Sequence, residues 1–571
     1  MVGQETNANG GVGELTKTLA ELLPQGFKNE PMAHQIEAVE KGYDLEGFAQ
    51  FGEQGTGKTW IFINECALKY VDKKCDGAVV IAPKGVDANW FFTEIPKHWP
   101  EGLPVRTALW RSALTKARKK TLDAVSTPKK QNEFRFLMLN WEALQTRRAV
   151  RYIEEFAKNC QLPMIICDES QRMKNPKTIR SKELTKLKSR FRWRRIGSGT
   201  PSLGSPFDLF NQMLFVDKDS VGTDSEFAFK ARHAVLLKPG HPLYDSMLRE
   251  RSKVMAAQSM EQNRRVVKAK NPGWSREMVE DEASKIAYEK AYEKMAKRMP
   301  QIVDKNAQGK PKYRKIEELR EMIDPYMFRV LKSQCLDLPP KIYKKSYFEM
   351  TPEQKRYTKE IEEKLRIEWD DGTIESLLEI TKQTKLPQLT CNYLIDSSDR
   401  VVMKLKGENP KLELLKQRII AHEGDGDEPP EGKIIIWCYG RQEAEDVEAL
   451  CKELGIKSVS YRGGISDAKK EANKKSFIEG DARIMISQQK SGGTGQTWVE
   501  ADYVIYYSQR FDLEDRLQSE DRAHRKGQVK NVVYEDLVAE ESVEEIIIDA
   551  LQSKTETAIE VMGDKLRNKL Y

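Results

Sequence analysis

An eight-residue run, Gly52-Glu-Gln-Gly-Thr-Gly57-Lys58-Thr59, constrains this chain more than any other segment. It fits Gly-x-x-x-x-Gly-Lys-Ser/Thr at every fixed position. Glycines at Gly52, Gly55 and Gly57 let backbone N–H groups, that of Thr56 included, curl around a phosphate. A helix expected from the loop to Tyr70 adds its N-terminal amides and dipole, which favour the same anion. In such a loop Lys58 reaches the β- and γ-phosphates of a nucleotide, and the Thr59 hydroxyl joins the shell of an Mg2+ ion. A plain glycine-rich turn is the competing account. The full set of fixed positions, followed by an amphipathic helix, argues against it.

The second chemical signal is Pro163-Met-Ile-Ile-Cys-Asp168-Glu169-Ser170-Gln171. Apolar burial opposes charge, so a buried strand ending in two carboxylates needs a reason beyond packing. At the carboxyl end of a parallel strand the pair would face a nucleotide crevice. There Asp168 can hold Mg2+ through water, while Glu169 orients and deprotonates an attacking water. Gly197-Ser198-Gly199-Thr200-Pro201 follows another expected strand. Its small hydroxyl residues can sense a γ-phosphate, although taken alone the segment reads as a turn.

Length and patterning turn these signals into an α/β architecture. At 571 residues the chain exceeds one ordinary core. In two regions short apolar runs alternate with amphipathic helical stretches, the pattern of parallel sheets covered by helices. Strands are expected at 78–82, 134–140, 164–167 and 194–197, then at 433–438, 457–461, 483–487, 503–507 and 532–538. The division is a flexible tail (1–28), a first lobe (29–217), a helical insertion (218–330), a linker with a second helical insertion (331–409), a second lobe (410–550) and a C-terminal helical tail (551–571). Residues 423–432 contain only Gly, Pro and acids and read as an exposed loop.

Composition excludes more than it assigns. None of the eight cysteines forms a Cys-x-x-Cys pair and the histidines lack zinc-ligand spacing, so no structural metal is expected. No stretch approaches the twenty or so apolar residues of a membrane span. The N-terminus lacks the pattern of a secretory signal, which points to a cytoplasmic compartment. The net charge of +7 is a weak pointer, because 95 basic residues are offset by 88 acidic ones. Two basic segments, 116–130 and 188–195, read either as solvated faces or as phosphate-contacting surfaces.

Taken in order, the motifs resemble those of superfamily-two helicase-like ATPases, and in detail the Swi/Snf (sucrose-non-fermenting) family. His34-Gln35 precedes the phosphate loop, where that superfamily has a glutamine reading the adenine edge. Ala82-Pro83-Lys84-Gly85-Val86 with Asn89-Trp90 resembles a segment that touches DNA backbone. Asp168 to Asn175 resembles "D-E-x-H-x-L-K-N", with Gln171 in place of the histidine, and Ser198 to Pro201 resembles "T-G-T-P". Arg329-Val330-Leu331-Lys332 followed by Leu338-Pro339-Pro340-Lys341 resembles the link into the family's second lobe. Ser491 to Gly495 corresponds to "A-G-G-x-G", and Gln518 to Gln528 is the closest match of all. The latter holds Arg522 and Arg525, three apart and therefore able to enter one cleft from a single helical face. In the family such arginines neutralise charge on the γ-phosphoryl group. Thr497, Trp498 and Phe511-Asp512-Leu513 depart from the family pattern.

The resemblance, to a minimal form as in bacteria or phages, implies two RecA-like lobes with helical insertions between them. It implies an ATP hydrolase that uses ATP and Mg2+ and moves along double-stranded DNA to remodel DNA or protein–DNA complexes. Gln35, Gly493 and Gly495 would join the loop in holding the nucleotide. Lys84, Asn89, Asn140, Arg462, Gln488 and Thr494 would contact DNA, with Trp141, Tyr439 and Arg441 as further candidates. Branched or single-stranded DNA is an alternative track. Rival readings are a strand-separating or annealing helicase, and an ATP-driven remodeller of a protein such as RNA polymerase. A monomer is expected when free, in a bacterial or host-cell cytoplasm or a eukaryotic nucleus, with the helical insertions offering a surface to a protein partner.

Overall fold

The structure, a computed structural model, describes residues 26–127, 132–298, 302–306, 310–369, 385–395, 401–424, 432–489 and 497–564. The first lobe is built on seven strands: β1 (Gly47–Gly52), β2 (Gly77–Ala82), β3 (Val105–Leu109), β4 (Phe134–Asn140), β5 (Met164–Asp168), β6 (Trp193–Gly197) and β7 (Met327–Val330). Their order is β3-β4-β2-β5-β6-β1-β7, with every pairing parallel. Parallel pairing demands helical crossovers on both faces, which explains the continuous apolar runs of β2 and β4.

Strand β1 was not among the expected ones, because Gly47, Gln50 and Gly52 interrupt its apolar pattern. All its residues are nevertheless buried, and the Gln50 amide donates to Ala38 O at 3.2 Å. It lies between β6 and β7 and carries the phosphate loop to the carboxyl edge of the sheet. Gly197 is required nearby: a Cβ there would lie 2.8 Å from the Phe62 ring on the helix that follows the loop.

The second lobe holds β8 (Lys341–Phe348), β11 (Lys433–Cys438), β12 (Ser458–Tyr461), β13 (Ile484–Gln488), β14 (Ala501–Tyr506) and β15 (Val532–Ala539), in the order β12-β13-β11-β14-β15-β8 and again parallel. Between β8 and β11, a short hairpin pairs β9 (Tyr393–Ile395) antiparallel with β10 (Val401–Lys404).

Several boundaries differ from the sequence expectation. Strand β7, from the stretch read as a helical insertion, completes the first sheet. Strand β8, from the stretch read as linker, completes the second. In β8 lysines hide the apolar alternation, and Lys341 reaches Glu520 at 2.8 Å. The β9–β10 hairpin stands where only helix was expected. The basic segment 188–195 is divided: Phe191 and Trp193 are buried and fully buried Arg195 binds Glu65 at 2.9 Å, whereas Arg190 and Arg192 are exposed. Lys116 to Lys120 are exposed on one helix. Most of the acidic loop 423–432 lies outside the described residues.

Two long antiparallel helices, Pro242–Lys270 and Arg276–Arg298, form the main insertion. They pack through their own seam of Ala256, Ala287 and Ala291, then Val267, Val279 and Ala283. Among the described residues no helix is long and apolar enough to cross a membrane.

The last helix, Val543–Met562, is a strap between the lobes and no mere tail. Ile547 and Leu551 pack against Leu513 of the second lobe, whereas Val561 and Met562 enter the first lobe's core. Just beyond, Asp564 binds Arg329 of β7 at 2.9 and 2.6 Å, and Arg329 also donates to Phe51 O at 2.6 Å. Residues 565–571 lie outside the described residues. Removing one partner from a buried pair strands the other charge. Asp564→Ala should therefore cost about 3 kcal/mol in urea unfolding. Lys310→Ala, which breaks the solvent-facing pair with Glu556, should cost less than about 1 kcal/mol. Equal losses would contradict this assignment.

Candidate active site

The phosphate loop joins β1 to the helix Lys58–Val71, with Gly57 as its N-cap. Gly55 and Gly57 hold φ of +88° and +83°, the left-handed region that glycine enters without steric cost. A Cβ on Gly57 would also lie 2.1 Å from the Gln35 side-chain nitrogen. Gln35 sits on the helix Ala33–Gly42, accepts from Met32 N–H at 2.9 Å and donates to Gly57 O at 3.4 Å. Thr56 shapes the loop from inside: its hydroxyl donates to Glu53 O at 2.8 Å, and its carbonyl accepts from His34 at 2.8 Å. The Lys58 ammonium donates to Gly52 O at 2.7 Å and Glu53 O at 3.1 Å. Desolvation lowers its pKa, against the opposing pull of Glu169 and Asp168.

Asp168 ends β5 two strands away, and Glu169 follows with φ of +53°. This backbone is uncommon for a side-chain-bearing residue. Asp168 is held by two indoles. Trp90 donates to its carboxylate at 3.0 Å, and Trp141 donates to its carbonyl at 3.0 Å. Burial, then the neighbouring Glu169, pushes the Asp168 carboxyl up to about 6. Trp90, read in a DNA-touching segment, and Trp141, a candidate grip, are both buried behind the catalytic edge. Gln171 donates to Glu169 Oε2 at 2.9 Å and accepts from the Ser198 hydroxyl at 2.7 Å.

The second lobe supplies the opposite wall. Its helix Leu513–Glu520 stops before the arginines, so Arg522 and Arg525 occupy the following turn and not one helical face. They still converge. A Cβ on Gly55 would lie 3.5 Å from Arg525 Cγ, so the arginine packs directly on the phosphate loop. Arg525 also donates to Thr497 Oγ1 at 2.9 Å. Arg522 is buried, and desolvation followed by repulsion from Arg525 draws its guanidinium down to about 10. Gln35, Gly55, Gly57, Lys58, Thr59, Asp168, Glu169, Arg522 and Arg525 line one cavity of about 630 Å3, a size suited to a nucleotide. The cavity offers cations from both lobes beside the first lobe's carboxylates, which suits a phosphate chain carrying a divalent cation. Thr59 and Asp168 are the residues that would hold Mg2+.

Lys332 was read only as part of the interlobe link, yet it is buried behind this site. Its ammonium pairs with Asp521 at 2.5 Å and donates to His524 O at 2.7 Å. Its backbone N–H donates to Glu53 Oε2 at 2.8 Å. One residue thus ties the phosphate loop to the arginine-bearing turn. Its position at the end of the Arg-Val-Leu-Lys segment was the only sequence signal.

Residues 45–393, more than half of the chain, match the SNF2-related domain family. The chain belongs to this family. Residues 410–527 match the helicase conserved C-terminal domain. Among relatives, chromodomain-helicase-DNA-binding protein 1-like of Danio rerio is 26% identical over 256 residues, covering 43% of this chain and 24% of the relative. ATP-dependent helicase fft3 of Schizosaccharomyces pombe is 22% identical over 553 residues, covering 90% of this chain and 55% of the relative. The chain thus spans between 24% and 55% of the length of these two relatives. A solved structure, the Sulfolobus solfataricus SWI2/SNF2 ATPase core in complex with dsDNA, is 20% identical with a TM-score of 0.35, covering 94% of each chain.

The described residues of this SNF2-related chain that were expected at DNA end or follow strands of the two sheets. Lys84, just after β2, is exposed. Asn89 donates to Glu94 Oε1 at 3.0 Å and borders the nucleotide cavity. Asn140 accepts from Ala143 N–H at 2.9 Å, capping the turn after β4. In the second lobe Arg462 binds Glu448 at 3.2 Å, and Gln488 donates to Tyr439 O at 3.1 Å, so both side chains are engaged within the lobe. Arg441 is exposed and lines a second cavity of about 540 Å3 with Tyr439, Gln488 and Arg510. Gly493, Thr494 and Gly495 lie outside the described residues.

Because folding lifts the Asp168 carboxyl from an ordinary 3.8 to about 6, its ionised form opposes folding at neutral pH. That cost is fully present above pH 6 and vanishes below pH 4, where folded and unfolded states both hold the proton. Asp168→Asn, which keeps an acceptor for Trp90, should stabilise the nucleotide-free protein at pH 8 by on the order of 2 kcal/mol. Thermal midpoints of the two proteins should converge at pH 4. A lower midpoint for the variant at pH 8 would contradict the claim.

Proposed function

We propose that this chain hydrolyses ATP in response to double-stranded DNA and uses the cycle to move along the duplex. The observation that carries the reading is the packing of Arg525 of the second lobe on Gly55 of the first, over a cavity holding Lys58, Asp168 and Glu169. Lys58, Arg522 and Arg525 surround the place where the terminal phosphate would sit. Glu169 takes a proton from the attacking water as the bond from the γ-phosphorus to the leaving oxygen breaks. Mg2+ bound at Thr59 and Asp168 would neutralise charge on the phosphate oxygens.

Splitting the site makes the chemistry mechanical. A bound triphosphate draws the arginines onto the loop, and phosphate release removes the attraction, so the lobes separate and close once per turnover. Exposed Lys84 and Arg441, one from each lobe, are the grips best placed to follow a phosphate backbone. Relatives named as an ATP-dependent helicase and a helicase-DNA-binding protein support DNA as the track. Backbone tracking is indifferent to sequence and weakens steeply with salt.

ATP turnover should rise with duplex DNA more than with single strands, and triplex displacement should occur without fork unwinding. Lys58→Ala should weaken ATP binding, whereas Glu169→Gln should bind ATP and stall. Arg522→Ala and Arg525→Ala should keep ATP binding and lose roughly three powers of ten in turnover. Robust unwinding of blunt or RNA duplexes, or stimulation by a protein and not by duplex DNA, would overturn the reading.

A further inference from the structure

Gln171 has its amide nitrogen between two carboxylates from different lobes. It donates to Glu169 Oε2 at 2.9 Å and to Glu514 Oε1 at 2.9 Å, while its oxygen accepts from Ser198. The two carboxylates dictate which end of the amide faces them, because an ionised carboxylate only accepts. A primary amide nitrogen has two N–H groups, one for each of them. Reversing the amide would set its oxygen against two anions. Gln171 is almost fully buried, so this orientation is not traded for water.

We infer that Glu514 is a positioning residue of the second lobe that sets the Glu169 carboxylate through Gln171, so that the hydrolytic base is aligned only in the closed cleft. The inference rests on the ATPase reading and adds a contact that the arginines do not make. Glu514 is the second residue of the helix Leu513–Glu520, where its carboxylate accepts from Gln518 at 3.1 Å. When the lobes part, this carboxylate leaves with the second lobe, and one N–H of Gln171 loses its acceptor. The amide is then held only from within the first lobe. Burial, then Glu169, raises the Glu514 carboxyl to about 7, in keeping with a group withdrawn from water beside a second acid. A neutral imidazole has one N–H, so a histidine at position 171 could serve both carboxylates only as the imidazolium.

The test uses the full chain with saturating duplex DNA and an ATP titration. Glu514→Leu should lower kcat about tenfold, the scale of one hydrogen bond to a charged group, with KM for ATP unchanged within about twofold. Glu514→Gln, which keeps an acceptor oxygen, should recover kcat to within about threefold of wild type. In a Gln171→Leu background, adding Glu514→Leu should cause no further loss. Gln171→Leu alone should reproduce the kcat loss, and it keeps the inference testable if Glu514→Leu unfolds. Multiplying losses in the double variant, a loss confined to KM, or no rescue by Glu514→Gln would overturn it while leaving the ATPase reading intact. A wild-type chain without turnover overturns both.

Discussion

The interaction on which the arrangement depends is the contact between an arginine of one lobe and a glycine loop of the other. Arg525 packs on Gly55, where the loop takes a φ of +88° that glycine enters without steric cost. The consequence is a pocket that crowds charges from both lobes. Arg522 and Arg525 of the second lobe face Lys58, Asp168 and Glu169 of the first across it. Burial opposes the charged form of Lys58, Asp168 and Arg522 alike. Such groups are costly to bring together unless a ligand of opposite charge comes with them. The cleft therefore favours closure around a polyanion carrying a divalent cation, and disfavours the same closure around water.

Polar ties between the lobes are distributed so that closure is reversible. Lys332 joins the phosphate loop to the arginine turn, and Gln171 joins the carboxylates to Glu514. The strap helix adds apolar anchors at both ends, Ile547 and Leu551 in one lobe and Val561 and Met562 in the other. Its Asp564 meets Arg329, which donates to Phe51 at the root of the loop. The same short stretch of β1 thus senses the strap behind it and the arginines in front of it. A chain that had to stay shut would place a large apolar interface here instead.

What the sequence made legible follows from how strictly chemistry fixes residue types. The loop glycines, Lys58 and the Asp168–Glu169 pair were readable because each position tolerates few alternatives. The expected strands Phe134–Asn140 and Lys433–Cys438 have the bounds read from their apolar runs. Strand β1 escaped because burial on both faces does not require an apolar residue where Gln50 finds a carbonyl. Arg195 misled for a related reason. Its charge suggested a surface, but Glu65 on the helix behind the loop neutralises it in the core. Trp141 stands among the candidate grips with a core position favoured, and Trp90 in a segment resembling a DNA-touching one, since a single sequence does not say which side of a strand end faces inward. Only the assembled sheet shows both indoles converging on Asp168.

The substitution of Gln171 for histidine illustrates how a departure from a family pattern acquires meaning only in three dimensions. In sequence it is a single mismatch inside a motif. In the fold its side chain touches Ser198 after β6, Glu169 after β5 and Glu514 of the opposite lobe. A titratable imidazole at this point would change charge near neutral pH, whereas an amide carries no titrating proton. Closure is then read in two independent ways: the arginines respond to the charge of the ligand, and the amide responds to the position of the opposite lobe. A nucleotide that recruited the arginines without bringing Glu514 to Gln171 would bind tightly and turn over slowly. Binding and hydrolysis can therefore be separated within one cleft.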